Sequence, residues 1–262
     1  MATSIQDIRF FIQKYGFKLQ ELEEITGIPA DAIRKQLEAA GSWDGQYMGD
    51  ACADLACEEA LAYGSDKSRR YTVADYYKIP EERRVELIDG VIYDLGSPGP
   101  IHQTVLTELV LQIAPCVKRH GENCRLFFAP MDVQLNRDTF TMVQPDLLII
   151  CSDDILRSRC IYGAPDFIAE IVSPSNRRHD TVRKLAKYRS AGVREYWVID
   201  PYEKRILVYL FGEEEKVTIF PMDAVVPVTI SKGACKVDFG TIRREIEPLY
   251  DLPPIIEPDD QL

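Results

Sequence analysis

Three apolar runs in the second half of the chain each carry an acid. Asp146 precedes Leu147–Cys151, Glu170 lies inside Phe167–Val172, and Asp200 follows Tyr196–Ile199. An acid among apolar strand residues is unfavourable unless it is paired, hydrogen-bonded or bound to a cation. Glu170 stands between Ile168, Ala169, Ile171 and Val172, so something must compensate it. The next stretch supplies candidates. Residues 176–194 hold seven basic side chains (Arg177, Arg178, Arg183, Lys184, Lys187, Arg189 and Arg194) against one acid, Asp180. Asp180, Lys184 and Tyr188 recur at i, i+4 and i+8 and share a helix face. Two acids that hold a divalent cation, with a lysine brought in from a helix, suit phosphodiester hydrolysis, which needs an activated water and charge stabilisation at the phosphate. The competing reading of Asp146, Glu170 and Lys184 is a buried structural ion pair that needs no metal.

The elements that must position these residues follow from local pattern. The three apolar runs read as buried strands. Asp180 is a plausible N-cap, Thr181–Ala191 the helix and Gly192 its stop. Upstream, Thr72 caps a short helix, and Val85–Leu95 reads as a hairpin turning at Asp89-Gly90. Glu86 precedes that turn, where its ordinary role is a strand acid paired with Arg83 or Arg84. His102 begins a helix reaching about Lys118, while His120 and His179 read as surface residues. RLFFAPMDVQL is a strand that continues or turns after Pro130, and Pro145 fixes the backbone before Asp146. Beyond Pro201, RILVYLFG and EKVTIF alternate as antiparallel strands.

The two ends differ from this middle. Residues 1–66 carry 12 acids and 5 bases, residues 251–262 carry 4 acids and no base, and the stretch between has 26 of each. The net charge of −11 therefore belongs to the ends, and a neutral domain with one basic helix still meets a phosphate backbone weakly. Residues 4–40 have the outline of a helix-turn-helix, with Ile28–Ala40 as its second helix. The acidity of the segment favours packing or protein contact over DNA reading. Seven scattered cysteines without metal spacing read as reduced core thiols. With no signal-like start and no membrane-length apolar run, a cytoplasmic protein without membrane attachment is expected.

In order along the chain, VELIDGVIYDL (85–95), His102, APMDVQL (129–135), QPD (144–146), PDFIAEIVSPS (165–175), DTVRKLAKYRSAGV (180–193) and EYWVIDP (195–201) resemble the Uma-two family. That family is a branch of the PD-(D/E)XK restriction-endonuclease-like superfamily, and the resemblance covers roughly residues 70–210. It implies an α/β fold with a mixed α+β sheet and a restriction-endonuclease-like core. It implies Mg²⁺, with Mn²⁺ as substitute, held by Asp146, Glu170 and the backbone carbonyl of Ile171. The superfamily places a lysine two residues after the second acid, where this chain has Val172; in this family the lysine migrates to the helix, at Lys184, with Lys187 next in line. Glu86 and His102 become active-site residues, Gln144 and Tyr188 their supports, and Arg177, Arg178 and Lys187 contacts to nucleic acid. The expectation is a helical segment over 1–66, a nuclease domain over 67–250 and an acidic Pro-rich tail over 251–262. Its activity would be metal-dependent cleavage of nucleic acid, DNA first, by a homodimer, with a protein partner possible through residues 1–66. The alternatives are a non-catalytic binding or regulatory module on the same fold, and an enzyme acting on RNA or a small nucleotide.

Overall fold

The computed structural model describes residues 19, 23, 29–39, 69–120, 123–173, 183–212 and 215–253. In chain order its principal elements are α1 (Ala30–Ala39), α2 (Val73–Tyr76), β1 (Val85–Ile88), β2 (Val91–Asp94), α3 (Pro100–His120), β3 (Arg125–Phe128), β4 (Val133–Gln134), β5 (Leu147–Ile150), β6 (Ile161–Tyr162), β7 (Phe167–Ile171), α4 (Lys184–Ala191), β8 (Glu195–Asp200), β9 (Arg205–Leu210), β10 (Lys216–Pro221), β11 (Val225–Val228), β12 (Cys235–Asp238) and α5 (Phe239–Ile246). The α/β class with a mixed sheet is as the sequence indicated.

Six strands form the central sheet in the order β10-β9-β8-β7-β5-β3. Only β7 and β8 are parallel, with Phe167 opposite Glu195 and Ile171 opposite Ile199. Parallel neighbours need a crossover, and the one between them carries α4. Every residue of β5, β7 and β8 is buried, because helices or other chain segments cover both sheet faces.

Strand alternation sorts the two faces. Phe167, Ala169, Ile171, Trp197, Ile199, Ile206 and Val208 pack in one cluster with Val105, Leu109 and Ile113 of α3 and with Phe239, Ile242 and Ile246 of α5. Leu148, Ile150, Ile168, Val172, Tyr196, Val198, Leu207 and Tyr209 pack in the other with Leu185 and Tyr188 of α4. Glu170 lies between Ile168 and Val172, so it falls on the α4 face. Ile33 and Leu37, one turn apart on α1, are fully buried in that same cluster. The helix expected at Ile28–Ala40 is therefore built into the sheet's cover.

Local signals set the small elements. Thr72 and Asp75 close a capping box on α2. The β1–β2 hairpin turns at Asp89 and Gly90, both with positive φ (53° and 83°). Gly192 ends α4 in the left-handed region. Asp200, the third strand acid, accepts the amides of Tyr202 and Glu203 and so shapes the β8–β9 turn.

One expectation is corrected. Four cysteines are bridged, Cys116 with Cys235 and Cys124 with Cys151, while Cys160 is a buried free thiol. The partners stand 119 and 27 residues apart, so sequence spacing gave no sign of pairing. In addition, β11, β12 and α5 fill residues 225–246, which the strand and helix patterns left unassigned. Among the described residues no helix is long and apolar enough to cross a membrane. The expected cap at Asp180, the helix start at Thr181, most of the 251–262 tail and most of the 1–66 segment lie outside the described residues.

Candidate active site

The site is built where α4 lies over the ends of β1 and β7. Lys184 opens α4, and its Nζ is 2.9 Å from Glu170 Oε1 and 2.9 Å from Glu86 Oε1. One turn later on the same helix face, Tyr188 donates its hydroxyl to Glu170 Oε1 at 2.6 Å. Glu86 reaches this cluster from β1, where the amide of Gln144 donates to its Oε1 at 2.8 Å. All four side chains are essentially out of solvent: Glu86 0%, Glu170 2%, Lys184 2% and Tyr188 0% exposed. Burial first, and then the neighbouring Glu170 carboxylate, push the Tyr188 phenol well above its ordinary value of 10.0. It therefore acts as a hydrogen-bond donor throughout the neutral range.

Asp146 sits at the adjoining strand end. Its Oδ2 accepts the amide of Ile171, the residue after Glu170, at 2.8 Å. The same oxygen lies 3.0 Å from His102 Nε2, in the first turn of α3. A carboxylate facing Nε2 calls for the proton on that nitrogen. His102 Nδ1 is buried and has no hydrogen-bond partner among the described residues. Asp146 thus ties the first turn of α3, through His102, to the end of β7, through the Ile171 amide.

Behind Glu86 lies a second polar layer. Gln144 Nε2 donates to Asp132 Oδ1 at 3.0 Å and lies 3.1 Å from the Tyr76 hydroxyl, which itself donates to Asp132 Oδ1 at 2.8 Å. Burial first, then the Asp132 charge, raises the Tyr76 phenol above its usual range. Asp132 and Tyr76 carry no sequence signal of their own, because the contact spans 56 residues.

The remaining candidates fall as follows. Lys187 pairs with Asp89 of the β1–β2 turn and not with the site acids. Arg177 and Arg178 lie outside the described residues. The ordinary reading of Glu86, paired with Arg83 or Arg84, is corrected: Arg83 makes a two-pronged contact with Asp94 at 2.6 Å for each prong, and Glu86 faces Lys184. Strand alternation puts Arg83 on the opposite face from Glu86, and Arg84, on the same face, reaches the side chain of Gln144 instead.

Whether a hard divalent cation fits can be judged from the donors. Among the described residues no group of three or more His, Cys, Asp and Glu side chains is gathered as a metal cluster. Glu86 Oε2 is nevertheless buried with no partner among the described residues. Two buried carboxyl groups share the single Lys184 ammonium, and Asp146 adds a third carboxylate beside the Ile171 peptide. Mg²⁺ characteristically takes one or two carboxylates and completes its shell with water. Carboxylate oxygens of this kind are the donor type that such an ion takes.

Comparison with known proteins adds a second line. Residues 73–231, more than half of the chain, match the family model Uma2, described as "Putative restriction endonuclease". A solved structure described as a putative nuclease belonging to DUF820, from Anabaena variabilis ATCC 29413, is similar at a TM-score of 0.57 and 24% identity, covering 66% of this chain and 97% of that one. At that identity the likeness speaks for the fold. No curated protein matches the chain.

Proposed function

We propose, since the chain belongs to the Uma2 family of restriction-endonuclease-like proteins, that it is a metal-dependent nuclease that hydrolyses phosphodiester bonds in DNA. The observation that carries this reading is Lys184 bridging Glu86 and Glu170 at 2.9 Å each, beside Asp146. Two acids converge on one lysine here, and a third accepts the amide of the residue that follows Glu170. A divalent cation held by Asp146 and Glu170 would supply Lewis-acid polarisation of the phosphate and a more acidic water. The chain's own residues would do the rest. Lys184, fixed by its two carboxylates and by the packing of α4, would place positive charge against a phosphate oxygen. Glu86 and Tyr188 would hold Lys184 and Glu170 in register. His102 Nδ1 would be a candidate to take up a proton, with Asp146 setting its tautomer. Because cutting both strands of a duplex calls for two centres, a homodimer is part of the proposal.

A second reading is favoured by one observation. Glu86, Glu170 and Lys184 are buried as completely as a structural cluster would be. A binding module that keeps this fold would need nothing more. The test is to incubate the full chain with supercoiled plasmid and with single-stranded DNA, in Mg²⁺, Mn²⁺ or chelator. Nicking and linearisation that require the metal, and that vanish in Glu170→Gln, support the nuclease. Intact substrate in every metal, from a protein that is folded, supports the module.

A further inference from the structure

The two arginines that precede β1 have different fates. The β1–β2 ladder continues one step before Val85, where the Leu95 amide donates to the Arg84 carbonyl at 2.9 Å. Arg84 and Glu86 therefore share one face of the hairpin, and Arg83 takes the other. Arg83 is matched by Asp94. Arg84 is matched by no acid among the described residues. Its Nε is buried without a hydrogen-bond partner among the described residues. Its one contact is a long one, 3.4 Å from NH2 to Gln144 Oε1.

Arg84 as a whole is half-buried, and a guanidinium Nε–H withdrawn from water without an acceptor is unfavourable. What surrounds it is arranged around that charge. Asp132 Oδ1 accepts from Tyr76 and from Gln144 Nε2, which turns the Gln144 carbonyl oxygen toward Arg84. The backbone amide of the same Gln144 donates to Glu86. One residue thus joins Arg84 to the Glu86–Lys184–Glu170 cluster. On the same hairpin face Tyr93 stands opposite Glu86, and the Arg183 guanidinium lies 4.9 Å from its ring centre.

We propose that Arg84 is a substrate-binding residue of this site, whose guanidinium takes the non-bridging oxygens of a phosphodiester. This rests on the nuclease reading for the identity of the ligand. The fork geometry of arginine matches two phosphate oxygens, and no acid in the described site competes for it. Gln144 then serves two purposes, holding Glu86 through its amide and steering Arg84 through its side chain.

The test uses the full chain, ¹⁵N-labelled, with the Arg84 Nε–H resonance assigned by its absence from the Arg84→Lys spectrum. Titration with inorganic phosphate is expected to shift that resonance saturably, and Arg84→Lys is expected to cut DNA about 10²-fold more slowly, as loss of one preorganised donor typically does. Lysine keeps the charge and removes the fork. A resonance that ignores phosphate overturns the proposal, and so does an Arg84→Lys protein that cuts like the wild type. If the resonance responds but the wild type cuts nothing, the anion site stands and the nuclease reading falls. If the wild type cuts and the resonance is silent, the nuclease reading stands and Arg84 has no part in it.

Discussion

At the scale of single residues, the account turns on three carboxylates and one ammonium. Lys184 is 2% exposed and meets two buried acids. Lys184→Met keeps the stem but leaves Glu86 and Glu170 without their common cation, and breaking a buried arrangement of this kind costs about 3–5 kcal/mol. The metal-free variant is expected to melt well below the wild type, with Mn²⁺ recovering more stability in the variant than in the wild type. Scanning calorimetry with and without Mn²⁺ checks this, and equal melting of the two metal-free proteins would contradict it. Tyr188 gives a pH signature. Its phenol is raised above 10.0 in the folded chain by burial and by Glu170. The unfolded chain ionises there while the folded chain does not. Its stabilising effect is thus intact below pH 10.0 and is lost as pH rises further, at a limiting slope of about 1.4 kcal/mol per pH unit for each such group. Urea unfolding between pH 10 and about 11 is expected to show a flatter decline in Tyr188→Phe than in the wild type.

At the scale of elements, much of the frame was legible and some of it was not. The apolar runs around Asp146, Glu170 and Asp200 became β5, β7 and β8, since strands covered on both faces leave unbroken hydrophobic text. Asp89-Gly90 and Gly192 marked their turns because few other residues accept positive φ. The i+4 spacing put Tyr188 on the face of Lys184, whereas Glu86 and Gln144 came to the site only through the family resemblance. Nothing within a few residues of Glu86 shows that α4, about a hundred positions later, will bring Lys184 to it. Asp132 and Tyr76 were missed for the same reason. The N-terminal segment was read as a separate helical unit, whereas α1 buries Ile33 and Leu37 in the cluster that holds Leu185 and Tyr188. Leu37→Ala is therefore expected to lower the stability of the whole fold by about 2–5 kcal/mol. A denaturation curve that matches the wild type would show α1 to be an appendage.

At the scale of the whole molecule, the acidic ends and the balanced middle define how it meets a substrate. On the nuclease proposal, a −11 chain gains little from long-range attraction to DNA, so contact would fall to a few local groups around the site, Arg84 foremost. The two disulfides among the described residues lie outside the Glu86–Glu170–Lys184 cluster: Cys116–Cys235 ties α3 to β12, and Cys124–Cys151 ties the flanks of β3 and β5. Cysteine spacing could not anticipate the disulfides, whereas α5 does carry local signals, an N-cap at Asp238 and an apolar stripe at Phe239, Ile242 and Ile246, that the strand and helix reading passed over. The catalytic reading commits the molecule to one lysine on one helix face, and two lysines on α4 allow it to be challenged. Lys184 faces Glu86 and Glu170, whereas Lys187 faces Asp89 at the hairpin turn. The deciding measurement is single-turnover cleavage of duplex DNA in Mn²⁺ by Lys184→Met and Lys187→Ala, at a temperature where circular dichroism shows both to be folded. Loss of about 10²–10³ in rate for Lys184→Met, with Lys187→Ala close to the wild type, is the predicted result. Cleavage that survives Lys184→Met and is abolished by Lys187→Ala would contradict it.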